Sequence, residues 1–178
     1  MTHARITGSF LFTFMAVLFL AHPTHAASKT DKEAIDTIAL FKKTDPGMSK
    51  FFEESVGYVV FPKITKAAIG IGGAHGKGIV YENKKKVGKA SLSQGTIGFQ
   101  LGGQIYAEVI FFETETTLEN FKQSTMKLSA QVSAVAAAEG VSENAKYEHG
   151  VAVFTIARTG LMFEASVGGQ KFKYQPGK

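Results

Sequence analysis

There is no cysteine in this chain of 178 residues, and past Arg5 a single arginine remains, Arg158. The first absence removes disulfides, thiolate nucleophiles and thiolate metal sites together, so the fold must hold by packing alone. It also removes the cysteine that a bacterial lipoprotein anchor requires. The second absence argues against a nucleic-acid reader, because the planar arginine fork supplies the bidentate contacts to bases and phosphates. Histidine is scarce as well. Beyond residue 26 only His75 and His149 remain, and two imidazoles without a paired carboxylate or thiolate do not make a zinc site. No Gly-x-Ser-x-Gly occurs, so the nucleophile elbow of an α/β-hydrolase is missing. Hydrolytic and metal-dependent catalysis find no support, and the chain reads as a non-enzyme without a cofactor.

The apolar run from Phe10 to Ala21 is too short to cross a bilayer comfortably. It follows His3 and Arg5 and precedes Thr24-His25-Ala26, with small residues where a signal peptidase reads. Residues 1–26 are therefore expected to be a secretory signal peptide. Residues 27–178 would then form one domain, periplasmic or secreted and not a lipoprotein.

What the chain has instead is glycine and lysine. Eleven of its 19 glycines lie between Gly57 and Gly103, interleaved with short apolar runs. In a helix each would cost roughly 1 kcal/mol, so the block reads as sheet, with glycines at bulges, bends or close backbone contacts. The same block is basic: from Lys63 to Lys89 there are seven lysines against Glu82 alone. A lysine surface attracts anionic surfaces in a salt-sensitive way without reading sequence.

Thr30 and Glu33 have capping-box spacing and predict a helix from Asp31 to Lys43, with Ala34, Ile38 and Phe41 inward and Ile35 and Leu40 widening the stripe. Asp45-Pro46-Gly47 ends it, and a second short helix follows with Met48, Phe51 and Phe52 on one face. Tyr58–Phe61 reads as a strand stopped by Pro62. Two further strands flank a glycine-rich turn near Gly76, and Asn83–Gly88 is a hairpin tip. Strands follow to Phe112, then a helix over Thr114–Gln123, an alternating run from Met126, and a hairpin over Val151–Val167. The fold class expected is α+β: a strongly curved, barrel-like antiparallel sheet with N-terminal helices and one helix between strands. Glu108, amid apolar strand residues, is expected on the polar face.

Gly70-Ile-Gly-Gly-Ala-His-Gly-Lys-Gly78 invites a nucleotide reading that fails on spacing. His75 stands where a dinucleotide fingerprint needs glycine, and Gly78 follows Lys77 where a phosphate loop needs Ser or Thr.

Three blocks together resemble the SYLF lipid-binding domain family: Gly57-Tyr-Val-Val-Phe61-Pro62, Gly70 to Gly78, and Gly98-Phe-Gln-Leu-Gly-Gly103. The resemblance runs from about Asp45 to Val167. It implies a curved antiparallel sheet with flanking helices, affinity for lipid and no catalytic residues. Eukaryotic members bind phosphoinositide membranes and, in yeast-type proteins, actin filaments; the exported bacterial members are the nearer match. The functional expectation is an exported protein binding phospholipid or an anionic membrane surface. Lys63, Lys66, Lys77, Lys84, Lys85 and Lys86 would meet head groups, and Phe61, Phe99 and Phe111 would supply apolar contacts. The alternative is a structural scaffold of the cell envelope that pairs with another protein. Nucleic acid and nucleotides are not expected partners.

Overall fold

A computed structural model describes residues 28–69, 71–97, 102–124, 126–128, 132–159 and 167–177. The expected signal peptide, Phe99 and most of the second strand of the Val151–Val167 hairpin lie outside the described residues. Two helices open the described chain, α1 (Lys29–Thr44) and α2 (Met48–Glu54). Four long strands follow: β1 (Gly57–Ile69), β2 (Ile71–Glu82), β3 (Lys85–Ile97) and β4 (Gly102–Phe112). Helix α3 (Glu115–Lys122) precedes the short β5 (Ala134–Ala136), then β6 (Val151–Thr159) and β7 (Lys171–Pro176).

The strands form one sheet in the order β5-β6-β4-β1-β2-β3-β7. The α+β class and the placement of helices match the expectation. The sheet itself departs from it in two ways. It is open, with β5 and β7 at its edges, and it is mixed, because β5 runs parallel to β6. The inner layer is filled by side chains: the Phe121 ring of α3 lies 5.2 Å from Phe172 of β7, and Phe172 lies 6.0 Å from Phe61 of β1.

Each face of the sheet has its own core. Ala34 and Phe41 of α1 and Met48 and Phe52 of α2 cover Tyr58, Val60, Ile79, Val109, Phe111 and Phe154. On the opposite face Val59, Phe61, Ile64, Tyr106, Ile110 and Phe112 pack under Leu118 and Phe121 of α3. Arg158 ties the layers, donating from Nη2 to Thr37 Oγ1 of α1 at 2.9 Å. Among the described residues no helix is long and apolar enough to cross a membrane.

The N-terminus of α1 sits two residues upstream of its expected position. Ser28 is the N-cap: its N–H donates to Asp31 Oδ2 at 2.8 Å, and its Oγ accepts from Asp31 N at 3.4 Å. Asp31 is also anchored by Lys86 Nζ of β3 at 2.6 Å, which favours this cap over the Thr30/Glu33 pair of equal spacing. Ile35 points away from the core and is 59% exposed; Thr37 and Phe41 set the buried stripe.

Pro62 does not stop β1. It lacks an N–H for the ladder, and the strand absorbs it as a bulge. Register shifts occur here against both neighbours, between Val60 and Lys63 towards β2 and between Phe61 and Ile64 towards β4. The bulge reverses side-chain parity. Phe61 and Ile64 both face the α3 layer, and Lys63 is delivered to the outside. Nor is there a turn near Gly76: residues 71–82 are one continuous strand. Gly76 and Gly78 are places where the inner layer rests on backbone. A Cβ at Gly78 would lie 2.7 Å from the Phe61 ring and 2.7 Å from the Val60 carbonyl, and one at Gly76 would lie 2.8 Å from Ile64 Cγ1. The turn that does form, Asn83-Lys84, has φ of 47° and 65°, the left-handed pair of a two-residue hairpin.

Candidate functional site

The register carries lysines across the sheet in rungs. Lys63 of β1 lies opposite Lys77 of β2, Lys77 opposite Ser91 of β3, and Ser91 opposite Lys173 of β7. The next rung is Thr65, His75, Ser93 and Lys171. All of these except the half-buried Thr65 are exposed. At about 4.8 Å between strands, Lys63 and Lys173 stand roughly 14 Å apart, with Lys77 between them. Exposed Lys89 sits two positions along β3 from Ser91. The four strands β1, β2, β3 and β7 hold eight lysines and one acid, Glu82, and Glu82 is engaged by Lys122 of α3 at 2.9 Å. The face is therefore cationic, with His75 and otherwise serine and threonine in its two rungs. Beside it, Lys63, His75 and Lys77 line a shallow cleft of about 290 Å³ with Thr30, Glu33 and Pro62.

Like charges directly opposite each other on a sheet are unfavourable. The Lys63–Lys77 pair is such an opposition, and both side chains are exposed.

The other sequence-derived residues separate from this group. Lys66 lies on the opposite face, half-buried, with Ala74 and Gln104 as register partners. Lys84 and Lys85 are exposed at the β2–β3 turn. A second bulge, between Val80 and Tyr81 in the pairing with β3, turns Lys86 towards α1, where it pairs with Asp31. Phe61 and Phe111 have no exposed surface and belong to the two different cores, on opposite faces of the sheet. Lys171 and Lys173 were not anticipated. The signal was present in the alternation Lys171-Phe172-Lys173-Tyr174, which places both lysines outward once Phe172 turns in.

Residues 93–176 match the Ysc84 family, described as Las17-binding protein actin regulator. The segment 93–176 belongs to the Ysc84 (SYLF) family. The matched segment runs from the end of β3 through β7, and so contains the third glycine block and Lys171 and Lys173. The chain is also 30% identical over 159 residues to Beta cell expansion factor A of Aeromonas veronii. That likeness covers 81% of this chain and 58% of the relative, so the chain spans little more than half the relative's length. The Ysc84 family is in general a family of binding domains, linked to lipid and to actin.

One carboxylate of the Ysc84 segment is deeply placed. Glu108 of β4 is fully buried, against the expectation of a polar face. It points into the α3-side layer between its register partners Phe61 and Thr155, because β4 alternates so that Tyr106, Glu108 and Ile110 share that side. Gln170 Nε2 donates to its Oε2 at 3.0 Å, and its Oε1 has no hydrogen-bond partner. Burial pushes its pKa up to about 8, and the Gln170 bond opposes this only in part. Full burial keeps any substrate away from the carboxyl. Its consequence is for stability. Between the ordinary carboxylate pKa and about 8 the unfolded chain is ionised at this residue and the folded chain is not, so stability falls as pH rises. Glu108→Gln removes this titration. In thermal melts its stability relative to the parent should grow from pH 5 to pH 8 and level off above, at about 1.4 kcal/mol per unit of pKa shift removed. A gap independent of pH would show that Glu108 is already ionised in the fold.

Proposed function

We propose that this chain is an exported, non-enzymatic protein that binds phospholipid by laying the lysine rungs of β1, β2, β3 and β7 on an anionic membrane surface. The observation that carries this reading is the exposed row Lys63–Lys77–Ser91–Lys173, with two lysines directly opposed and no acid among its members. Small residues between the lysines let the sheet approach a flat charged surface closely. Family membership supports lipid as the partner. The reading does not use Phe61 or Phe111 as lipid contacts, because both are core.

The test is co-sedimentation with vesicles of phosphatidylglycerol and phosphatidylcholine against phosphatidylcholine alone. The excess of retention on the anionic vesicles should be large at low salt and should fall steeply as ionic strength rises towards about 0.5 M, where exposed charges are largely screened. Equal retention on both vesicles, or an excess on the anionic vesicles that is indifferent to salt, would refute it. Capture of an envelope protein that survives high salt and detergent would favour the scaffold reading instead.

A further inference from the structure

A second concavity lies at the other end of the chain's charge distribution. It measures about 590 Å³ and is walled by α2, the start of the segment after β4, and the Val141–Glu143 turn. Phe51 and Tyr147 form its aromatic side, with ring centroids 5.6 Å apart. Glu54, Glu113 and Glu143 line it, all exposed, with Lys50 as the single base. None of the three glutamates forms an ion pair among the described residues. The cleft therefore carries a formal charge of −2 (one base, three acids) beside two rings.

The wall is built rather than incidental. Asp45, 1% exposed, accepts from Ser142 N at 2.7 Å and from Gly47 N at 3.1 Å. Burial alone would raise the Asp45 pKa, but these hydrogen bonds outweigh it and hold the carboxyl below its usual value. The turn is thereby pinned to the start of α2. Ser142 is itself 5% exposed, and its Oγ is buried under Gly47 beside the Asp45 carboxylate. Tyr147 feels the acids: burial pushes its hydroxyl up to about 12, and the charges of Glu113 and Glu54 act in the same direction.

We propose that this cleft binds a small molecule or head group bearing an ammonium of the choline type. The cation would sit against the Phe51 and Tyr147 rings with Glu54, Glu113 and Glu143 around it. Aromatic faces attract methylated ammonium groups through the ring quadrupole, and the carboxylates supply the neutralising charge without requiring an N–H. The volume falls within the range of small-molecule sites and leaves room for a substituent on the cation. This site is separate from the lysine face in residues and in sign, so the two proposals stand or fall apart.

The test titrates choline chloride into the folded protein, followed by calorimetry or NMR, with 3,3-dimethylbutan-1-ol as the uncharged isostere. Choline should bind at least about tenfold more tightly than the alcohol. The Glu54→Gln/Glu113→Gln double variant should weaken choline by about tenfold with no change in melting temperature, since both side chains are exposed. Tyr147→Leu should weaken it to a similar degree. Phosphatidylcholine vesicles in about 0.5 M salt, where the lysine face is screened, distinguish the source. Retention that free choline displaces indicates a lipid head group, and binding of free choline alone indicates a soluble ammonium compound. Equal binding of choline and the alcohol, unchanged binding in the double variant, or no binding at millimolar choline would each overturn the proposal.

Discussion

Reversing Lys63, Lys77, Lys171 and Lys173 to glutamate together should abolish retention on phosphatidylglycerol vesicles at low salt while leaving the domain folded. Each lysine near a charged bilayer contributes about 1 kcal/mol, so losing four attractions alone costs about a thousandfold, and reversal adds repulsion. All four side chains are exposed and none has an ion-pair partner among the described residues, so the fold loses no ion pair. The single variant Lys77→Glu separates function from stability more sharply. It turns the Lys63–Lys77 opposition into an opposite-charge pair across β1 and β2, which should stabilise the sheet by about 0.2–1 kcal/mol. A domain that melts slightly higher and binds vesicles less well is the expected result. Reversing Lys84 and Lys85 at the hairpin tip should matter less, because that turn lies at the far end of β2 from the rungs. Vesicle binding that persists in the fourfold variant would remove the lysine face from the proposal.

Much of this surface was legible in the sequence, and the part that was not has a definite physical origin. The excess of lysine from Lys63 to Lys89, the helix ended by Asp45-Pro46-Gly47 and the strand character of the glycine block all follow from composition and local propensity. Which lysines stand together does not, because one bulge decides it. Without the shift at Pro62, alternation from Phe61 would send Lys63 into the α3 layer; with it, Ile64 goes in and Lys63 goes out. A pattern read along one strand cannot see the register of its neighbours. The same holds for β7. Its Lys171 and Lys173 alternate plainly, yet their membership of the site depends on β7 pairing with β3, some 80 residues away in sequence. Glu108 shows the converse limit: period-2 reasoning assumes one wet face, and here both faces of β4 are covered, one by α1 and α2 and the other by α3.

Phe61→Ala should destabilise the domain by about 3–5 kcal/mol, lowering its melting temperature by about 10 °C or more for a chain of this length. The ring has no exposed surface, meets Phe172 at 6.0 Å and lies over Gly78. If Phe61 were instead an accessible lipid contact, the variant would lose vesicle binding and keep its melting temperature, so the two measurements decide its role. The glycine beneath it makes a complementary case. Gly78→Ala adds a Cβ 2.7 Å from the Phe61 ring and equally close to the Val60 carbonyl, an overpacking expected to cost about 1–3 kcal/mol. Removing the ring relieves the first clash but not the second. The double variant should therefore be less destabilised than the sum of its singles, with a coupling of about 1 kcal/mol, as for residues in contact. Strict additivity would mean that Gly78 is required by the backbone contact between β1 and β2 alone, and that the aromatic ring plays no part in selecting it.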